Sequence, residues 1–113
     1  MEVIEKRENG ACVLQVMGRL DSNTSPDFEK KVFEAIEGGV TRLVVDCEGL
    51  DYVSSAGLRV ILKATKRLKK TEGMIVVCSM RDYIREVFEM AGFDSFIPVA
   101  RNREEALKAL AAE

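Results

Sequence analysis

The sequence predicts an α/β domain: a mixed β-sheet opened by an N-terminal hairpin, with about four helices packed on it. Three observations carry this expectation. The apolar period changes from two residues to about 3.6 after Gly18, two short apolar runs flank a helical pattern in the middle of the chain, and 113 residues suit one domain spanning 1–113.

The elements follow in order. Val3 to Arg7 and Ala11 to Met17 have strand-like patterning, and Asn9-Gly10 between them supplies the two residues that tolerate positive φ in a tight hairpin turn. Phe28, Val32, Ala35 and Ile36 then share one face of a helix. Thr24 with Asp27 makes a capping box for it, Pro26 suits its first turn, and Gly38-Gly39 ends it. Leu43 to Val45 and Met74 to Cys78 are short apolar runs of the kind found in interior strands covered on both faces. Between them Leu58, Ile61, Leu62, Thr65 and Leu68 repeat as a helix that begins after Gly57 and ends near Gly73, so a right-handed crossover and parallel pairing are expected.

A third helix is expected after Ser79, capped by that residue with Asp82, burying Ile84, Val87, Phe88 and Ala91 before Gly92 stops it. Phe93, Phe96, Ile97 and Val99 give a short final strand. Asn102 with Glu105 opens a last helix with Ala106, Leu107, Leu110 and Ala111 inward. The predicted order is ββαβαβαβα.

Composition narrows the function. Seventeen basic and nineteen acidic side chains leave a net charge of -2, which gives no footprint for direct nucleic-acid binding. The absence of histidine excludes a Ser-His-Asp or Cys-His pair within the chain and any zinc site that needs imidazole. Cys12, Cys47 and Cys78 stand far apart without CxxC spacing, which fits reduced core thiols of a cytoplasmic protein, with a buried disulfide as the alternative. No apolar stretch approaches the roughly 20 residues of a membrane span, and the opening MEVIEKRENG lacks the hydrophobic region of a signal peptide.

The richest segment runs from Asp46 to Arg59, from a strand end through a loop into a helix N-terminus, where functional groups of open α/β sheets concentrate. Ser54 and Ser55 sit at that helix start. One of them caps the helix, or one is a phosphoacceptor whose added charge of about -1.5 to -2 suits a helix N-terminus. A nucleophile elbow is excluded because Val53 stands where G-x-S-x-G needs glycine, and the usual histidine base is missing. A phosphoacceptor Asp46 of the receiver type lacks an early acidic pair, since only Asp21 follows the early strand.

Gly18-Arg19-Leu20-Asp21, the run Leu43-Val44-Val45-Asp46 and above all Tyr52-Val53-Ser54-Ser55-Ala56-Gly57-Leu58 resemble the STAS domain. The stretch Ala91 to Val99, followed by Glu104-Glu105-Ala106-Leu107, fits as well, so the likeness covers essentially the whole chain. Within that superfamily the sequence is most similar to the freestanding anti-sigma factor antagonists of bacteria.

The resemblance implies a binding protein without an active site or cofactor of its own. Its partner would be an anti-sigma factor that is also a serine kinase bringing ATP and magnesium, and docking would release a sigma factor. Phosphorylation would end the binding and a PP2C-type phosphatase would restore it. Alignment on Gly57-Leu58 puts the acceptor at Ser55, with Ser54 as second choice because Ser54 and Ala56 replace the Asp and Ser or Thr that often flank the acceptor. Asp21 and Asp46 match acidic positions of the family. The docking face would comprise Asp21, Ser22, Asn23, Thr24, Asp46 and the run Ser54, Ser55, Ala56, Gly57, Leu58 and Arg59, with Leu58 supporting it from beneath. Arg59, Lys63, Lys66, Arg67, Lys69 and Lys70 on the same helix are a solvated face or a contact for an acidic partner surface. The alternative function is a STAS docking subunit of another assembly, in lipid transport or signalling, in which the serine only caps.

Overall fold

The computed structural model describes residues 1–111. Strand β1 (Glu2–Glu8) turns at Asn9 and Gly10, with φ of 51° and 79°, into the antiparallel β2 (Ala11–Leu20). Helix α1 (Ser25–Glu37), β3 (Arg42–Asp46), β4 (Leu50–Val53), α2 (Ser55–Lys69), β5 (Met74–Cys78), α3 (Asp82–Met90), β6 (Val99–Ala100) and α4 (Arg103–Ala111) follow. The sheet order is β1-β2-β3-β5-β6, parallel from β2 onward, and β4 lies beside the far end of β2.

The mixed sheet with four helices is the predicted fold, and the structure adds β4 where a loop was expected. β2 is long enough to serve two parallel neighbours: Cys12–Gln15 pair with β3, and Gly18–Leu20 pair with β4. The change of partner occurs at Gly18, whose φ of +92° is a backbone that side chains with a Cβ rarely adopt, and the ladder shifts register between Gly18 and Arg19.

Alternation along the central strands divides their side chains between two layers. Leu14, Val16, Leu43, Val45, Ile75 and Val77 face the layer of α1, α2 and α3, where Phe28, Ile61, Leu68, Ile84 and Phe88 complete the main core. Val13, Val44, Val76 and Cys78 face the other way, where α4 covers them with Ala106, Leu107 and Leu110. Fully burying a side chain such as Phe28 or Phe88 contributes about 1.5–3 kcal/mol. The three cysteines are free and buried. Burial pushes the Cys78 thiol up to about 11 and raises Cys12 and Cys47 as well, so all three stay protonated near neutrality.

Several local expectations need correction. Helix α2 starts at Ser55, two residues before Gly57. Ser79 does not cap α3: its φ is +60°, the helix starts at Asp82, and Arg81 holds the cap position without a side-chain bond. Only Ile84 and Phe88 of α3 are buried, because the helix meets the core along one narrow stripe; Val87 lies on its flank and Ala91 beyond its end, both exposed. Phe93–Ser95 forms a 3₁₀ turn, leaving two residues for β6. Asn102 does cap α4, accepting the Glu105 amide at 2.9 Å, while Ala111 is exposed.

Candidate functional site

Parallel pairing of Leu20 with Val53 brings two strand ends together, and each leads into a helix N-terminus. The Ser54 amide donates to the Leu20 carbonyl at 2.9 Å, and the Leu58 amide donates to the Ser54 carbonyl at 3.1 Å as the first bond of α2. Gly57 lets this helix lie against both strands: a Cβ there would come within 2.6 Å of Leu20 Cγ and 3.1 Å of Val53 Cγ2. Leu20 is fully buried, so it has little room to move aside.

The neighbouring turn is held by Asp21. Its Oδ1 accepts the amides of Asn23 at 2.9 Å and Thr24 at 3.1 Å, and its carbonyl accepts the Ser25 amide and hydroxyl at 2.8 and 2.6 Å. Thr24 therefore occupies the cap position of α1 without capping it. Its hydroxyl donates to the Arg19 carbonyl at 2.8 Å and accepts the Asp21 amide at 2.9 Å, in place of the predicted box with Asp27. The backbone amide of Thr24 is the largest influence holding the Asp21 carboxyl below its ordinary value, and Asn23 and Arg19 act in the same direction. A lowered carboxylate contributes order above its unfolded pKa and loses that contribution as pH falls through the folded value. The amide proton shifts of Asn23 and Thr24 are accordingly expected to titrate together, with a midpoint below the usual aspartate range, when followed by NMR through acid pH.

Ser54 and Ser55 have different environments. Ser54 holds the cap position of α2, yet its hydroxyl makes no capping bond and is buried without a hydrogen-bond partner among the described residues. Ser55 opens the helix and is exposed. An uncapped, unpartnered hydroxyl predicts that Ser54→Ala leaves stability unchanged or raises it by up to about 1 kcal/mol, whereas loss of a working cap costs about that much. Urea unfolding distinguishes the two outcomes.

Between the two helix starts lies a shallow groove of about 190 Å³ lined by Ser22, Ser25, Ala56 and Arg59 among others, with Lys63 and Glu29 3.5 Å apart along it. Asp21, Ser22, Asn23, Thr24 and Ser54 to Arg59 therefore fall on one end of the molecule, with Gly57 and Leu58 buried beneath. Asp46 does not join them. It shares the face of Val44, is 4% exposed, and its Oδ2 accepts the Arg103 Nε–H at 3.0 Å, with the Nη2 of the same guanidinium also 3.0 Å away as an ion pair, on the α4 side of the sheet.

The sequence reading missed the aromatic border of this end. Arg19 lies 4.2 Å from the ring centre of Tyr52, and Arg81 bridges Asp51 at 2.6 Å and the Tyr83 hydroxyl at 3.4 Å. Tyr52 and Asp51 belong to β4, so finding this border required finding that strand. Among the described residues no group of three or more metal-ligating side chains is assembled. Among the described residues no helix is long and apolar enough to cross a membrane.

The STAS family model matches residues 3–106. The chain belongs to the STAS domain family. This STAS domain is 37% identical over 109 residues to BtrV of Bordetella bronchiseptica, provisionally named an anti-sigma factor antagonist, with 96% of this chain and 94% of BtrV covered. Among solved structures it matches an anti-sigma factor antagonist from Mycobacterium paratuberculosis with a TM-score of 0.91, at 23% identity, over 97% of this chain and 93% of that one. It also matches the phosphorylated form of SpoIIAA from Bacillus with a TM-score of 0.73, at 22% identity, over 96% and 98% of the two chains. Both likenesses bear on the fold of the STAS domain. The mixed sheet and four helices predicted from the residues are those of the family.

Proposed function

We propose that this protein is an anti-sigma factor antagonist: it binds an anti-sigma factor that is also a serine kinase, and phosphorylation of Ser55 ends the binding. Similarity to BtrV over nearly the whole of both chains supports the antagonist role. The observation that carries the switch is the contrast between the two serines. A kinase must reach the hydroxyl oxygen, and Ser55 is exposed at the first residue of α2 while the Ser54 oxygen is buried.

In the transfer, Ser55 Oγ attacks the γ-phosphorus of ATP brought with magnesium by the kinase. A new O–P bond forms, the bond to the ADP oxygen breaks, and the hydroxyl proton passes to a base of the kinase. A PP2C-type phosphatase reverses the modification by hydrolysis. The chain needs no catalytic residue or cofactor of its own for either step.

Incubation with the cognate kinase, ATP and magnesium, followed by intact-mass measurement and peptide mapping, tests the proposal. One phosphate on Ser55 is expected, and its absence after Ser55→Ala. A protein that takes no phosphate on either serine would refute the switch.

A further inference from the structure

We infer that Arg59 is a built-in counter-charge for phosphoserine at position 55, so that modification both adds negative charge to the docking end and withdraws a positive one from it. This rests on Ser55 being the acceptor. Ser55 and Arg59 are four residues apart within α2, and such side chains are neighbours on a helix surface. Both are exposed. A phosphate on Ser55 therefore lies within reach of a guanidinium fork, whose planar donors match phosphate oxygens in a way an ammonium does not.

The surrounding charges single out Arg59. Arg19, at the end of β2, pairs with Asp21 at 3.7 Å and covers Tyr52. Arg81, ahead of α3, pairs with Asp51 of β4. Lys63, two turns along α2 from Ser55, pairs with Glu29 of α1. Among the described residues Arg59 makes no salt bridge, although it borders the groove between α1 and α2. The start of α2 also carries no acidic residue in its first turn and no side-chain cap, whereas Asp27, Asp82 and Glu104 with Glu105 supply acids to the other three helices. Phosphoserine would supply the missing anion to the helix start and an ionic partner to Arg59 together.

Two consequences follow for the switch. In the unmodified protein Arg59 is available to an acidic group of the partner, and in the modified protein it is engaged internally. The clamp also favours the dianion over the monoanion, because the second ionisation places more charge opposite the guanidinium.

The test places phosphoserine at position 55 during translation, so it does not depend on any kinase accepting the protein. Phosphorus NMR then gives the second phosphate pKa for the wild-type background, for Arg59→Gln and for Lys63→Gln. The expected result is a value in the Arg59→Gln protein about half a unit above the other two, the scale of an exposed helical ion pair. The Arg59 Nε resonance should titrate with the same midpoint as the phosphate. Equal phosphate pKa values with and without the arginine, or an Arg59 resonance indifferent to the phosphate, overturn the clamp. Kinase labelling of the unmodified chain is read separately: a clamp seen here with no enzymatic phosphorylation there would refute the switch and leave the clamp standing.

Discussion

Phosphorylation of Ser55 is expected to weaken binding to the anti-sigma partner more than a hundredfold without lowering the protein's melting temperature. The two halves of this expectation have different causes. Ser55 is exposed at the N-terminus of a fifteen-residue helix, where a negative charge is favourable, so the fold tolerates the phosphate. In a closed interface the same dianion would be stripped of water opposite a surface shaped for a hydroxyl, and a loss of about 3 kcal/mol already exceeds a hundredfold in Kd. Ser55→Asp carries half the charge and is expected to lose about tenfold, while Ser55→Ala should bind as the wild type does. Calorimetric titration of the four proteins against the purified anti-sigma factor, beside their melting curves, gives the comparison. Equal affinities for wild type and Ser55→Asp would favour a plain docking subunit over a switch.

The parts of this site that were legible in the sequence are those with strong local rules. Asn9-Gly10 dictates a hairpin, the spacing of Phe28, Val32 and Ile36 dictates a helix face, and the runs Leu43–Val45 and Met74–Cys78 are apolar on both faces because helices cover both. The adjacency of the Asp21 turn and the Ser55 helix start came from family resemblance, and its physical cause was hidden. That cause is β4, whose Leu50 and Val53 are buried while Asp51 and Tyr52 between them are exposed. A four-residue strand paired on one side only has no period-two pattern to read. The sequence assigns the capping role to Thr24, and the structure gives the amides of the turn to Asp21: both have the chemistry of a cap, and only the closing of the turn decides that the carboxylate takes the amides while the hydroxyl ties back to Arg19. The placement of Asp46 is a matter of parity. One step along β3 separates the core that supports Ser55 from the face under α4, and Asp46 shares its face with Val44.

Arg103→Ala is expected to be the most damaging single substitution for stability among those considered, at about 2–4 kcal/mol. Arg103 is the first residue of α4, and its Nη1 reaches Glu8 Oε2 at 3.0 Å while Nε and Nη2 meet Asp46 Oδ2. Partial burial disfavours its charge, but the hydrogen bond and charge of Asp46, reinforced by Glu8, outweigh that and raise its pKa. The three groups fasten α4 to the ends of β1 and β3, beside the apolar cluster that Ala106, Leu107 and Leu110 form with the sheet. Removing the guanidinium leaves the Asp46 carboxylate buried without its counter-ion, and this uncompensated charge accounts for most of the cost. Arg103→Lys should recover only part of it, because one ammonium cannot span both carboxylates as the fork does. Asp46→Leu combined with Arg103→Leu removes both charges, so it should be less destabilising than the sum of the two single changes. Urea unfolding of the four proteins closes the double-mutant cycle, and a coupling below about 0.5 kcal/mol would place this triad among ordinary surface pairs. The consequence extends to the end of the molecule that carries Ser55. Asp46 Oδ1 accepts the Glu48 amide at 3.1 Å in the turn that leads into β4, so the ion pair that seats α4 also holds the strand that presents Ser55.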